Sequence, residues 1–226
     1  MDNNNVAVVG LGDAVAQMNT PIDQIAGEVV NLIFVGIDQS GSMTSYITDM
    51  EKCLKEFKTA ITATKEVDDI LLARADFESS ICVGGYKKVQ DFDINYQANG
   101  GTSLYDVVVE GKKKLIDYIE YLKNQGVRTK AVFAIFSDGE DTSSRMGINE
   151  AKNATGEMNS KEIVTAFISF GGMATGIAKT MDFKNILDVG SSASELRKAF
   201  NVLSKSVISS SKSVVAPATG TFFQMP

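Results

Sequence analysis

Carboxylate and hydroxyl side chains are concentrated in three short segments of the sequence, DQSGSM, GGTSLYD and FSDGED. Their candidate site residues are two aspartates, two serines and a threonine: Asp38, Ser40, Ser42, Thr102 and Asp138. Two carboxylates brought together without a basic neighbour repel each other unless a cation lies between them. An all-oxygen set of this kind suits Mg2+ or Mn2+ and does not suit zinc.

Each of these residues also has an ordinary local explanation. Ser40 or Ser42 could cap the helix that follows, and Thr102 or Ser103 could cap the next one. Asp138 could simply be a turn residue of the SDG sequence. On the residues alone, these separate roles and a shared metal site both stay open.

Five apolar runs predict the strands that would hold these segments. Such runs are typical of a parallel sheet covered by helices, and they span residues 31–37, 70–77, 131–137, 163–170 and 185–190. Amphipathic helices are predicted over residues 47–61, over 104–119 and from Ser192 onwards, where Glu195 completes a capping box. This alternation predicts a doubly wound α/β fold, in which ligands bind at the carboxyl ends of the strands.

Taken together and in this order, the three segments resemble the metal-ion-dependent adhesion site of a von Willebrand factor A domain. The resemblance is to a stand-alone intracellular domain of bacterial or phage type. In that family two serines and the threonine bind the metal directly, while the aspartates act mainly through bound water. The resemblance therefore implies direct ligation by three hydroxyls and an indirect or water-mediated role for the two carboxylates: Ser40, Ser42 and Thr102, with Asp38 and Asp138.

The same resemblance implies the sheet and the domain limits. It implies a mostly parallel, Rossmann-like sheet of six strands with helices on both faces and one antiparallel edge strand within residues 86–92. The resemblance covers residues 28–206. Residues 1–27 and the Ser-rich residues 207–226 are expected to form arms outside the core.

Composition excludes several classes of function. The net charge is -6 and no dense Lys/Arg cluster offsets it, so nucleic acid is not an expected partner. Histidine is absent, which removes the commonest general base and the usual zinc ligand. Cys53 and Cys82 are isolated and indicate no disulfide framework. Without a signal sequence or an apolar run of ~20 residues, the expected location is the cytoplasm or a phage particle.

The sequence favours a non-catalytic module that binds protein partners through Mg2+. An Asp or Glu of the partner would complete the metal's coordination, and the resemblance suggests an AAA+ ATPase or an assembly subunit as that partner. The alternative is a structural subunit of a phage or envelope assembly that makes its contacts through the terminal arms. An enzyme with Asp38 as nucleophile is disfavoured, because that chemistry usually needs an acid at the position of Ser40.

Overall fold

The apolar runs of the sequence form a central sheet. The structure is a computed structural model that describes residues 19–25, 27–65, 69–213 and 221–224. Its strands are β1 Val29–Asp38, β2 Ile70–Phe77, β3 Ile81–Val83, β4 Lys87–Lys88, β5 Arg128–Ser137, β6 Val164–Phe170 and β7 Asn185–Val189. The five predicted strands correspond to β1, β2, β5, β6 and β7, with ends that agree to within three residues.

The sheet is mostly parallel, with the strand order β3-β2-β1-β5-β6-β7. β1 lies at the centre and pairs in parallel with β2 on one side and β5 on the other. Strands are therefore added first on one side of β1 and then on the other. In such folds this reversal creates a crevice at the carboxyl ends of the strands, where ligands bind. This topology confirms the predicted doubly wound α/β fold.

The antiparallel edge is divided into two short strands. β3 and β4 both pair with β2, and Gly84, Gly85 and Tyr86 separate them. Gly84 instead donates its N–H to Arg74 O at 2.9 Å. The edge predicted within residues 86–92 thus covers only β4, and the described sheet has seven strands where six are expected. Strands of two or three residues are too short to produce a readable pattern.

Within the described ranges, five α-helices cover the two faces of the sheet: α1 Ile47–Thr62, α2 Leu104–Asn124, α3 Ile148–Ser160, α4 Thr175–Thr180 and α5 Ala193–Lys212. α1 and α5 share one hydrophobic layer, and α2, α3 and α4 share the other. α3 and α4 are not predicted by the sequence, because their buried residues are mainly small ones such as Ala151, Ala154 and Ala178. None of the helices described here combines the length and the apolar character needed to cross a membrane.

α2 makes a close contact with the sheet at Gly111. Phe34 of β1 and Phe133 of β5 are stacked there, with ring centroids 4.5 Å apart. A Cβ atom at Gly111 would collide with the Phe34 ring and would lie 3.0 Å from Phe133 Cε2. The absence of a side chain at this position therefore lets α2 lie close to the two strands that end in the candidate site.

The C-terminal residues pack on the domain. α5 continues beyond residue 206 to Lys212, with Val207 fully buried. Phe222 is only 1% exposed and donates its N–H to Asn185 Oδ1 at 3.0 Å. The prediction that residues 207–226 lie outside the core therefore fails at Val207, Ser210, Ser211 and Phe222, which are buried. Residues 214–220, 225 and 226 of that predicted arm lie outside the described residues.

Serine content explains why this packing is hard to read from sequence. The hydroxyls of Ser204, Ser206 and Ser211 each donate to the backbone carbonyl four residues earlier in α5. Such bonds satisfy the polar groups internally, so that these serines are buried as small residues. A Ser-rich sequence therefore does not mark the end of this helix.

The predicted N-terminal arm also contacts the core where it is described. Thr20 is buried, its N–H donates to Tyr86 O at 2.7 Å, and its carbonyl accepts the Tyr118 hydroxyl at 2.9 Å. The expectation of a detached arm over residues 1–27 thus fails at Thr20. Residues 1–18 and 26 of that segment lie outside the described residues.

Candidate metal centre

Asp38 is fixed at the end of β1 by hydrogen bonds to both of its carboxylate oxygens. Oδ1 accepts the N–H of Ser40 at 2.8 Å, and Oδ2 accepts the hydroxyl of Ser137 at 2.5 Å. The Tyr96 hydroxyl donates to the Asp38 carbonyl at 2.5 Å. Asp38 is fully buried. Its orientation is therefore set by the protein, with no need of a ligand.

Three side-chain oxygens lie in a row beside Asp38. Ser40 Oγ is 2.9 Å from Ser42 Oγ, and Ser42 Oγ donates to Asp138 Oδ1 at 2.9 Å. Ser40 is buried and Ser42 is exposed, so the row leads from the interior to solvent. Adjacent oxygen ligands of octahedral Mg2+ lie about 2.9 Å apart, given metal–oxygen distances of about 2.1 Å. The Ser40–Ser42 separation fits neighbouring positions around one ion, and the Asp138 carboxylate lies beside them, within hydrogen-bond distance of Ser42.

Thr102 lies on a second loop that is bound to the first. Gly41 donates its N–H to Gly100 O at 3.0 Å, and Asn99 donates to Gln39 O at 2.7 Å. Gly100 has a φ of +69°, which favours glycine. Thr102 is buried, and the hydrogen bonds described for it join its backbone N–H and carbonyl to Thr142 and Ser143, not its hydroxyl.

The structure brings most of the predicted site together. Four of the five residues belong to one hydrogen-bonded network, and the fifth lies on the adjoining loop: Asp38, Ser40, Ser42 and Asp138, with Thr102. Ser40 precedes the short 3-10 turn Gly41–Tyr46 and Ser103 precedes α2, yet neither side chain makes a capping hydrogen bond. Local capping therefore does not account for the serines.

Burial disfavours the ionised form of both aspartates. It raises the pKa of Asp38 to about 6, against the lowering effect of the Ser137 and Ser40 hydrogen bonds, and nearby Asp138 raises it further. Burial also raises the pKa of Asp138, while its hydrogen bond from Ser42 lowers it. In the described part of the chain, no Lys or Arg forms an ion pair with either carboxylate. The site lacks a positive charge that a cation would supply.

The ligand chemistry depends on hydroxyls. Over the residues that the structure describes, no three His, Cys, Asp or Glu side chains are grouped so that they could hold a metal. Hard oxygen donors of the Ser and Thr type, supplemented by water and carboxylate, suit Mg2+ or Mn2+. The residues present therefore fit a hard divalent cation.

Two supporting residues are not predicted by the sequence. Ser137 lies beside Asp38 because Ile37 and Phe136 are partners in the β1–β5 register. That register is not visible in the sequence, although Ser137 directly precedes the recognised Asp138. Tyr96 lies in an irregular loop and gives no sequence signal of its role.

Comparisons with known proteins bear on the fold. No family model and no curated protein matches this chain. The pilus adhesin SpaC from Lactobacillus rhamnosus GG, in its open conformation, matches 82% of this chain with a TM-score of 0.60 and 14% identity. Proximal thread matrix protein 1 from the mussel byssus, with a zinc-occupied MIDAS motif, matches 79% with a TM-score of 0.57 and 13% identity. The SpRpn10 VWA domain matches 76% with a TM-score of 0.52 and 12% identity.

The chain has a von Willebrand factor A-like fold. It spans 30% of the adhesin and 46% of the byssus protein, but 94% of the SpRpn10 domain. The similarity therefore concerns one domain of the longer proteins. At these identities the comparison establishes the fold, and the arrangement of Asp38, Ser40, Ser42 and Asp138 rests on the geometry of this chain.

Proposed function

We propose that this von Willebrand factor A-like domain is a non-catalytic module that binds protein partners through Mg2+ or Mn2+. The row of oxygens formed by Ser40, Ser42 and Asp138 is the observation that carries the proposal. Thr102 is the proposed further direct ligand from the second loop. Asp38 has both oxygens engaged by protein donors, which favours an indirect role through water.

The charge of the ligand set explains why a partner would be needed. Hydroxyl ligands carry no formal charge, so the ion keeps much of its positive charge at the solvent-facing side, where Ser42 is exposed. An Asp or Glu carboxylate of a partner can occupy a remaining position. An AAA+ ATPase or an assembly subunit that presents such a residue stays the proposed partner class.

The burial of Asp38 argues against catalysis. A phosphoryl-accepting aspartate must reach the substrate, but Asp38 is 0% exposed and its oxygens are held by Ser40 and Ser137. The acid that such chemistry usually uses is replaced by Ser40. We therefore infer a binding role without a covalent step.

An intracellular location is part of the proposal. Both cysteines are free thiols, with Cys53 buried and Cys82 exposed. An exposed free thiol is more compatible with a reducing compartment than with an oxidising one. Pilus adhesins share the fold, so the location rests on this thiol argument and not on the comparison.

Assembly through the terminal arms is the alternative function. PilB, a minor pilin from Streptococcus sanguinis, is a further structural neighbour, with 12% identity and a TM-score of 0.57 in its D319A mutant form. Residues 221–224 argue against contacts by that part of the C-terminal arm, because Phe222 is buried on the domain itself. The metal-dependent module is therefore the better-supported proposal.

The deciding experiment combines metal titration with partner capture. Calorimetric titration of Mn2+ into the metal-free protein is expected to reveal one saturable site. Affinity capture in Mg2+ should retain a partner that is lost in EDTA and lost with Thr102→Ala. Absence of a saturable site, or a partner that binds equally well under all three conditions, would overturn the proposal.

A further inference from the structure

The loop that follows Asp138 holds the backbone of Thr102 on both sides. Thr102 donates its N–H to Thr142 Oγ1 at 2.8 Å. In return, Thr102 O accepts the N–H groups of Thr142 and Ser143 at 2.9 and 3.0 Å. Both backbone polar groups of Thr102 are therefore satisfied by residues 141–146, which we call the clasp segment.

The clasp segment also caps the helix that begins after Thr102. Asp141 Oδ1 accepts the N–H of Tyr105 at 3.2 Å, and Ser144 Oγ accepts the N–H of Asp106 at 3.0 Å. Ser144 donates its own hydroxyl to Asp141. The residue in the N-cap position, Ser103, makes no side-chain capping bond. The first turn of α2 is thus held by another loop and not by its own cap residue.

Two further contacts join the clasp segment to residues 101–106. The Asp106 carboxylate accepts the N–H groups of Arg145 and Met146, at 3.0 and 2.8 Å. Gly101 approaches the clasp segment so closely that a Cβ atom there would collide with Ser143 Oγ. Residues 101–106 and the clasp segment therefore form one closely bonded unit.

We propose that Thr142 is a positioning residue of the metal site, which acts by holding the Thr102 hydroxyl where it can bind the ion. The inference rests on the proposed function. Thr142 contributes the side-chain oxygen that receives the Thr102 N–H, whereas the carbonyl of Thr102 is held by backbone donors. Loss of that oxygen removes the acceptor of this part-buried N–H, and the backbone at Thr102 is then no longer held on that side. The Thr102 side chain moves with that backbone.

Thr142 is exposed, so substitutions there should not disturb the core. Thr142→Val keeps the shape and removes the acceptor, whereas Thr142→Ser keeps the hydroxyl. We expect Thr142→Val to weaken Mn2+ binding roughly tenfold, as is usual for residues that orient a metal ligand, and Thr142→Ser to bind as wild type does. Thr142→Ala is the second variant and should match Thr142→Val. Thr62→Val is the control, because Thr62 is an exposed threonine whose hydroxyl bonds only to Lys58 O within α1.

A double-mutant cycle separates positioning from a general structural effect. If Thr142 acts through the Thr102 hydroxyl, Thr142→Val should cause no further loss of Mn2+ affinity in a Thr102→Ala background. A second full loss in that background would overturn the inference, as would wild-type affinity in both Thr142→Val and Thr142→Ala. Wild-type protein that binds no Mn2+ would instead overturn the proposed function itself, and the inference with it.

Discussion

The Ser42 hydroxyl donates a hydrogen bond to Asp138 Oδ1 at 2.9 Å, although the two residues are 96 positions apart in the sequence. This bond joins the loop after β1 to the loop after β5. It also brings Ser42, a proposed direct ligand, next to Asp138, the carboxylate proposed to act on the ion through water.

Ser42→Ala should weaken Mn2+ binding at least roughly tenfold and change the free energy of unfolding by no more than about 0.5 kcal/mol. The reason is that Ser42 is exposed and contributes little packing, whereas its oxygen is a proposed ligand. Calorimetric titration and urea unfolding measure the two effects. Thr44→Ala is the control, since Thr44 is an exposed hydroxyl of the same turn that bonds only to Gly41 O. Equal Mn2+ affinity in the wild type and Ser42→Ala would contradict this prediction.

Phe222→Ala should destabilise the fold by about 3 kcal/mol, the usual cost of removing a buried aromatic ring. The ring is 1% exposed and belongs to the same hydrophobic layer as α1 and α5. Urea unfolding gives the change, and Phe223→Ala should cost less because Phe223 is only half-buried. A truncation after Ser206 removes both rings and Val207 and should destabilise the domain still more. If that truncated chain unfolds at the same urea concentration as the full chain, the observed C-terminal packing is not a source of stability.

Gly111→Ala should destabilise the domain by about 1–3 kcal/mol, because the added methyl group has no room against Phe34. The matched control is Gly156→Ala in α3, where nothing lies within 4 Å of the added Cβ. That change should stabilise by about 0.5–1 kcal/mol through helix propensity. Thermal and urea unfolding of the two variants should therefore shift in opposite directions, and a Gly111→Ala variant at least as stable as wild type would refute the close approach of α2.

The two thiols should differ sharply in reactivity. Cys82 is exposed, whereas Cys53 is 1% exposed and burial raises its pKa to about 11. A raised pKa means less thiolate, so at pH 8 about one Cys53 side chain in a thousand would be ionised. A colorimetric thiol reagent should titrate one group rapidly in native protein and the second only in guanidinium chloride. Cys82→Ser should abolish the rapid phase, and its persistence would show that Cys53 is accessible.

The strands that could be predicted from sequence are those buried on both faces. β1 and β2 consist almost entirely of buried residues, so hydrophobicity alone marks them. β3 and β4 exist because they pair with β2, and that pairing leaves little trace in their own residue types. The helical extension through Val207 is likewise hidden, because serines that bond to their own helix pack like small residues.

The candidate site could be predicted as a set of residue types but not as a set of contacts. Asp38, Ser40 and Ser42 are recognisable by their alternate spacing after an apolar run. The position of Ser137 beside Asp38 requires the register of two strands. The role of Thr142 could be predicted only from how its loop packs on the loop of Thr102, and no local sequence pattern indicates that packing.

The divided edge of the sheet affects the tendency of the protein to aggregate at high concentration. An open edge strand offers unpaired backbone groups to which a neighbouring molecule can add a strand and begin to aggregate. Here β3 offers three residues and β4 two, with Gly84, Gly85 and Tyr86 between them and Lys87 exposed on the shorter strand. An incoming strand would lose its register at the glycines and meet a charged side chain beyond them. Many copies could therefore lie close together without polymerising through this edge.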